Sequence, residues 1–337
     1  MRPAAGALSE AAAAPRLLLL LRVGSIRFSA FYFAPFYTAI HLSGRGGPRW
    51  IGLGALFCAG LCLAVELLNR ASDRREDAIN NPERTRQCEA FGYRDLTLLG
   101  VGIAAALVPV GLIWFALWGN ARLFAVQAAV WAVAWNYSFG LRFKARRWTS
   151  LLVLSGTFLF PFATGWATYR SLLELPAAAL IIPAYLLSLV GIKDITDVEG
   201  DRSIGYRSLL LDLASRRARA LALLLLAPHA LIAVAVALGV MPPRFLALLA
   251  FLPFSAAFGK LVPGARTPEE RRAVRELMYH AWVAIMLPGL WLLDPGPQLG
   301  AALGGTLLFW LVASRHLHWM RGPTGGQLRA AAAVLRR

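Results

Sequence analysis

Residues 50–82 read WIGLGALFCAGLCLAVELLNRASDRREDAINNP, an apolar run that passes without a break into a string of acids and bases. Through residue 68 the run carries one charged side chain, Glu66. A helix of about 20 such residues crosses the roughly 30 Å hydrocarbon core of a bilayer. Beyond it, Asn69, Asp73 and Asp77 follow at i, i+4 and i+8, which stacks their oxygens along one helix face. Pro82 is expected to stop that helix. The stretch therefore predicts a membrane-crossing helix that delivers a row of oxygen ligands to the membrane surface.

Similar apolar runs fall near 17–43, 95–118, 121–138, 149–168, 173–193, 217–240, 244–262, 275–293 and 298–318, making ten candidate spans with the first. The whole chain of 337 residues is 58% hydrophobic and 16% charged, with mean hydropathy +0.57. That composition is too apolar for a soluble domain. It leads to an all-α membrane protein, a bundle of nine or ten transmembrane helices around a central cavity. Residues 1–16 read as a short tail, 17–320 as one transmembrane domain and 321–337 as a basic C-terminal tail. The net charge of +17 does not indicate nucleic acid, because basic residues set between long apolar runs mark cytoplasmic loops. With ten spans and the N-terminus inside, most Lys and Arg fall on the cytoplasmic side, which predicts a multi-pass protein of the cytoplasmic membrane. Cys58, Cys62 and Cys88 form no CxxC pair and predict neither a zinc site nor a disulfide framework.

Acid is more informative, because it is scarce. Of 18 Asp and Glu, seven lie in 66–95 and five in 194–212. Four candidate spans separate the two groups, so both emerge on the same face. In the second group Asp194, Asp197 and Asp201 are spaced i, i+3, i+7 and again share a helix face, with Lys193 and Arg202 beside them. Two such rows repel one another unless cations lie between them. Carboxylate and amide oxygens suit Mg²⁺, which takes one or two protein carboxylates and completes its shell with phosphate oxygens and water. Arg74, Arg75, Arg84, Arg142 and Lys144 add donors for phosphate. The rows together read as a Mg²⁺-diphosphate site.

The two rows resemble the paired signatures of the UbiA superfamily of intramembrane prenyltransferases, NDxxDxxxD and DxxDxxxD. Gly205 with Arg207 looks like the family's GDRxxGxxS/T continuation. Asn136 to Lys144, through Tyr137 and Arg142, looks like its YSxPPxRxK stretch. The chain departs from the pattern at Arg70, where the family has Asp, at Phe139-Gly140, where a Pro pair is missing, and at Arg84–Cys88. The resemblance implies a helical barrel with a lateral opening to lipid. Asn69, Asp73, Asp77, Asp194, Asp197 and Asp201 would be the metal ligands, with Asp73, Asp77, Asp194 and Asp197 central to catalysis. Tyr137, Arg142, Lys144, Lys193 and Arg202 would face the diphosphate, and two Mg²⁺ ions would help it depart. The implied partners are a prenyl diphosphate, a small electron-rich acceptor and membrane lipid, with no protein partner.

Arg22 and Arg27 are costly in hydrocarbon and are expected at the cavity or its mouth, Arg22 as a diphosphate contact. Tyr32, Phe33, Phe36, Trp135, Phe158 and Phe160 could line a path for an allylic cation. Two other activities fit parts of the pattern: a terpene cyclase that uses no acceptor, and an ion-coupled transporter. Transporters place their ionisable groups near the midplane, whereas these acids sit at helix ends.

Overall fold

Apolar segments in a bilayer must satisfy their backbone groups internally, and this chain does so with helices, with no strand among the described residues. The computed structural model describes residues 15–118, 121–203, 205, 213–214 and 217–337. Its first half runs α1 (Arg16–Val23), α2 (Ser29–Ile40), α3 (Pro48–Ser72), α4 (Arg74–Asn80), α5 (Pro82–Phe91), α6 (Tyr93–Trp118), α7 (Ala121–Ser138) and α8 (Arg147–Ala167). The second half runs α9 (Ile181–Leu189), α10 (Val198–Ser203), α11 (Ala218–Ala237), α12 (Leu252–Gly264), α13 (Pro268–Trp291), α14 (Pro297–His316) and α15 (Gly325–Arg336). Proline opens α3, α5, α13 and α14, where its missing N–H has no helical partner to lose.

Each of the ten apolar runs is helical, but they differ as membrane spans. Six segments among the described residues are long and apolar enough to cross, and eight if each of two bent pairs counts as one span. One bent pair is the first run: α1 and the helix after it meet at 55°. The bend lies at Gly24-Ser25, where Ser25 takes a left-handed φ of 47°. The other pair lies within α8, bent by 45°. α13 begins among charged residues, with Thr267 and Glu270 forming a capping box at its start.

A single apolar core gathers residues from α2, α3, α7, α8, α9 and the later helices, rich in aromatics such as Phe36, Trp50, Trp114, Trp282 and Trp310. A smaller cluster of Leu19, Val23, Leu67, Cys88 and Leu96 ties α1, α5 and α6 to the end of α3 that carries the first acidic row. The C-terminal stretch folds into α15, which packs Ala331 and Val334 onto the α12–α13 side.

Candidate active site

Neither acidic row is a straight helix face. α3 ends at Ser72 and α4 begins at Arg74, with Asp73 between them at φ −97°, ψ 14°. Backbone bonds nevertheless continue in step, from the Asp73 N–H to Asn69 O (2.9 Å), Asp77 to Asp73 (2.8 Å) and Asn81 to Asp77 (2.8 Å), which keeps the row on one side. Pro82 ends this helix and at the same residue starts α5, which returns Arg84 to the row. In the second segment, residues 190–196 form a 3₁₀ helix and α10 follows. The Asp197 N–H bonds Asp194 O and the Asp201 N–H bonds Asp197 O, both at 2.9 Å. The tighter first step and the wider second one together hold the three aspartates on a common side.

The two segments meet. α4 and α10 pack on one another, and Asn80 clamps them: its Nδ2 donates to Asp197 O at 3.0 Å while its Oδ1 accepts the Gly200 N–H at 2.7 Å. A Cβ on Gly200 would collide with the Asn80 amide, so the clamp needs glycine there. Asn81 adds a bond from Nδ2 to Asp197 Oδ1 at 3.2 Å.

Asn69, Asp73, Asp77, Asp194, Asp197 and Asp201 all line one cavity of about 310 Å³. Tyr137, Lys144 and Lys193 line it too, as do Glu66, Arg70, Glu76, Asn80, Arg84, Arg275 and Glu276. The rest of its wall mixes aromatic side chains, among them Phe28, Tyr32, Phe160, Tyr279 and Trp282, with aliphatic ones such as Leu61, Val130 and Leu154. Cations of the chain already engage most of the acids. Lys144 meets Asp73, Arg84 meets Asp77 with Arg70 at 3.7 Å, Lys193 meets Asp194 at 2.6 Å, and Arg275 stands 3.6 Å from Asp197. Asn69 Oδ1 accepts from Ser138 Oγ at 2.6 Å.

These contacts set the charge states at the mouth. Burial and the neighbouring Asp194 and Asp197 push Asp201 up to about 7. Burial acts the same way on Asp197, but Arg275, Arg84 and Lys193 outweigh it and hold this carboxyl below its usual range. Lys144 is lowered to about 8 by burial, then by Lys193 and Arg70.

Several expected residues lie elsewhere. Arg22 does not line the cavity; its Nε donates to the His316 carbonyl at 3.3 Å. The bend at Ser25 separates it from Arg27, which does reach the cavity wall. Arg27 is fully buried, bonded to both Glu276 oxygens at 2.8 Å and ringed by Phe28, Tyr279 and Trp310 at 5.1–5.2 Å. Arg142, in a left-handed turn, and Arg202 are exposed and outside the cavity lining. Trp135 is exposed and stacks on Phe139, and Phe33 stacks on Tyr37. Arg74 covers Tyr93. Arg207 and the Phe158 side chain fall outside the described residues. Sequence reading missed Asn80, Arg275, Glu276 and Tyr279; the last three sit at i, i+1 and i+4 on α13, a spacing that does signal a shared polar face.

The UbiA prenyltransferase family matches residues 32–283, a stretch that includes both acidic rows. The chain belongs to this family. Its UbiA fold is seen in solved structures as well. A structure of digeranylgeranylglyceryl phosphate synthase superposes with TM-score 0.56 at 15% identity, covering 82% of this chain and 96% of that one. A UbiA homologue from Archaeoglobus fulgidus bound to DMAPP and Mg²⁺ gives 0.57 at 14%, covering 79% and 98%. The same homologue with GPP and Mg²⁺ gives 0.54 at 14%, covering 95% and 100%. No curated protein matches the chain by sequence. It is thus a multi-helix membrane protein with the fold of UbiA-type intramembrane prenyltransferases.

Among the described residues no three carboxylate, His or Cys side chains stand close enough to cage an ion. Mg²⁺ typically takes one or two protein carboxylates and completes its shell with phosphate oxygens and water. The donor set at the mouth is carboxylate and amide oxygen, which fits this ion.

Proposed function

We propose that this UbiA-family protein is a Mg²⁺-dependent prenyltransferase that moves an isoprenyl group from a prenyl diphosphate to an aromatic or other electron-rich acceptor. One observation carries the reading: both aspartate rows, with Lys144, Lys193, Arg84 and Arg275, line one cavity whose remaining wall is largely aromatic and aliphatic. The division matches an amphipathic substrate, a charged head held at the mouth and a hydrocarbon tail below it. The binding of DMAPP or GPP with Mg²⁺ by the Archaeoglobus fulgidus homologue supports the same reading.

Asp73, Asp77, Asp194, Asp197 and Asp201, with Asn69, would hold Mg²⁺, whose charge would neutralise the departing diphosphate. Lys193, Lys144, Arg84 and Arg275 donate to phosphate oxygens and keep the head group at the mouth. Tyr32, Phe36, Phe160, Tyr279 and Trp282 line the cavity and would shield the allylic carbon from water. Tyr137 also lines the cavity. Placed in the cytoplasmic membrane, this mouth faces the cytoplasm, the side on which most of the chain's Lys and Arg fall.

The test is mass spectrometry of products from membranes carrying wild type, Asp73→Ala or Asp194→Ala, incubated with dimethylallyl, geranyl, farnesyl or geranylgeranyl diphosphate and candidate phenolic acceptors. Both variants should lose product while the protein accumulates normally; full activity in either overturns the reading. Cyclic hydrocarbons or terpene alcohols formed without any acceptor would make the protein a terpene cyclase instead.

A further inference from the structure

Residues 317–324 join α14 to α15 and lie beyond the stretch matched by the family, yet they enter the site. His318 and Trp319 both line the cavity that holds the aspartate rows, and they are buried, at 2% and 7% exposure. The segment folds back on itself: His318 Nδ1 lies 2.7 Å from the Met320 carbonyl, and the Gly322 N–H reaches Ser314 O at 3.4 Å. It brings one indole to two cations. The guanidinium carbons of Arg84 and Arg275 stand 5.1 and 5.3 Å from the Trp319 ring centroid.

Those two arginines serve different rows. Arg84, on α5, pairs with Asp77, whereas Arg275, on α13, stands 3.6 Å from Asp197. An aromatic face attracts a guanidinium without taking up its in-plane N–H donors, so each arginine can pass from carboxylate to phosphate oxygen and keep its ring contact. Arg84 has a donor in reserve, because its Nε is buried with no hydrogen-bond partner among the described residues. Arg275 is tied to the same segment a second time, through Nη2 to Met320 Sδ at 3.6 Å. Without the ring, two long side chains of like charge would repel and be free to swing toward water. We propose that Trp319 is a positioning residue of the diphosphate site, holding Arg84 and Arg275 together so that one diphosphate receives donors from the arginines of both rows. This role rests on the prenyl-diphosphate reading above and adds to it a residue outside the matched region.

The test is calorimetric titration of the full chain in detergent with inorganic pyrophosphate and Mg²⁺. Trp319→Leu is expected to weaken binding about tenfold, the scale of losing ring contacts to two cations, while Trp319→Phe stays within about threefold of wild type. Arg275→Gln weakens binding by itself, and Trp319→Leu added to it should cost less than it does alone, since part of its effect runs through Arg275. Wild-type affinity in Trp319→Leu, an equal loss in Trp319→Phe, or strictly additive losses in the double variant overturns the positioning role and leaves the diphosphate reading standing. Absence of pyrophosphate binding by wild type overturns both. Should Trp319→Leu fail to accumulate, Trp319→Met takes its place; failure of both marks the ring as a packing element and overturns the role.

Discussion

The Arg27–Glu276 pair and the aspartate rows are both buried charge in a bilayer protein, and they are built in opposite ways. Arg27 and Glu276 have no exposed side-chain surface, meet through two 2.8 Å bonds, and sit inside a ring of Phe28, Tyr279 and Trp310. Both Glu276 oxygens are taken up by Arg27, whose Nε is buried without a hydrogen-bond partner among the described residues. At the rows, by contrast, Asp77 is shared by two arginines, Asp197 by Arg275 and Asn81, and Asp201 has no cation among the described residues. The difference is one of closure, since Arg27 and Glu276 line the same cavity as the rows. A closed pair holds helices together, whereas shared and uneven pairs can trade a protein partner for a ligand.

That distinction can be broken by mutation, and the largest effect belongs to the rows. Asp194→Ala is expected to reduce product formation about a thousandfold, the scale of losing a main electrostatic contact to developing charge, with normal protein yield in membranes. Stripping divalent ions with EDTA should give a comparable loss that added Mg²⁺ restores. Equal product from EDTA-treated and control membranes would place the rows among structural charges.

The closed pair should respond in the opposite currency. Arg27→Met leaves Glu276 buried without a partner and is expected to cost about 3–5 kcal/mol of stability, read as a lowered unfolding temperature in detergent. The double variant Arg27→Met/Glu276→Leu should recover most of that loss. A stable Arg27→Met protein with altered products would instead assign the pair to substrate binding.

Smaller effects lie at the clamp between the segments. Gly200→Ala pushes a methyl group into the Asn80 amide and should lower turnover with little change in yield. Asn80→Ala removes two bonds to the second segment, each contributing about 1 kcal/mol, and should raise the pyrophosphate concentration needed for half-saturation several-fold, as measured by calorimetry. Unchanged pyrophosphate affinity in both variants would show that the rows hold their spacing without the clamp.

Much of this site is legible in the sequence. Aspartates are rare in a chain this apolar, so two rows at helical spacing stand out, and an even number of spans between them sends both to one face. Backbone geometry hid the remainder. Arg22 and Arg27 look equivalent along one apolar run, and only the left-handed Ser25 sends them to different surroundings. Arg142 and Arg202 follow the family spacing yet turn outward, because a left-handed turn carries the first and α10 exposes the second. Arg275 and Glu276 carry no sequence signal of their partners, since Asp197 and Arg27 are far away in sequence. The number of spans was equally hard to read: bends within single apolar runs and the charged start of α13 blur where one crossing ends.

The Asn80 clamp also has a meaning for biogenesis. Its two bonds join residues 117 and 120 positions apart. At ordinary translation rates of about 5–20 residues per second, the first acidic segment leaves the ribosome on the order of ten seconds before its counterpart exists. During that interval Asp77 has Arg70 and Arg84 for company, both from the same early stretch of chain. Asp77 thus draws its arginines from its own stretch of chain, whereas Asp73 waits for Lys144.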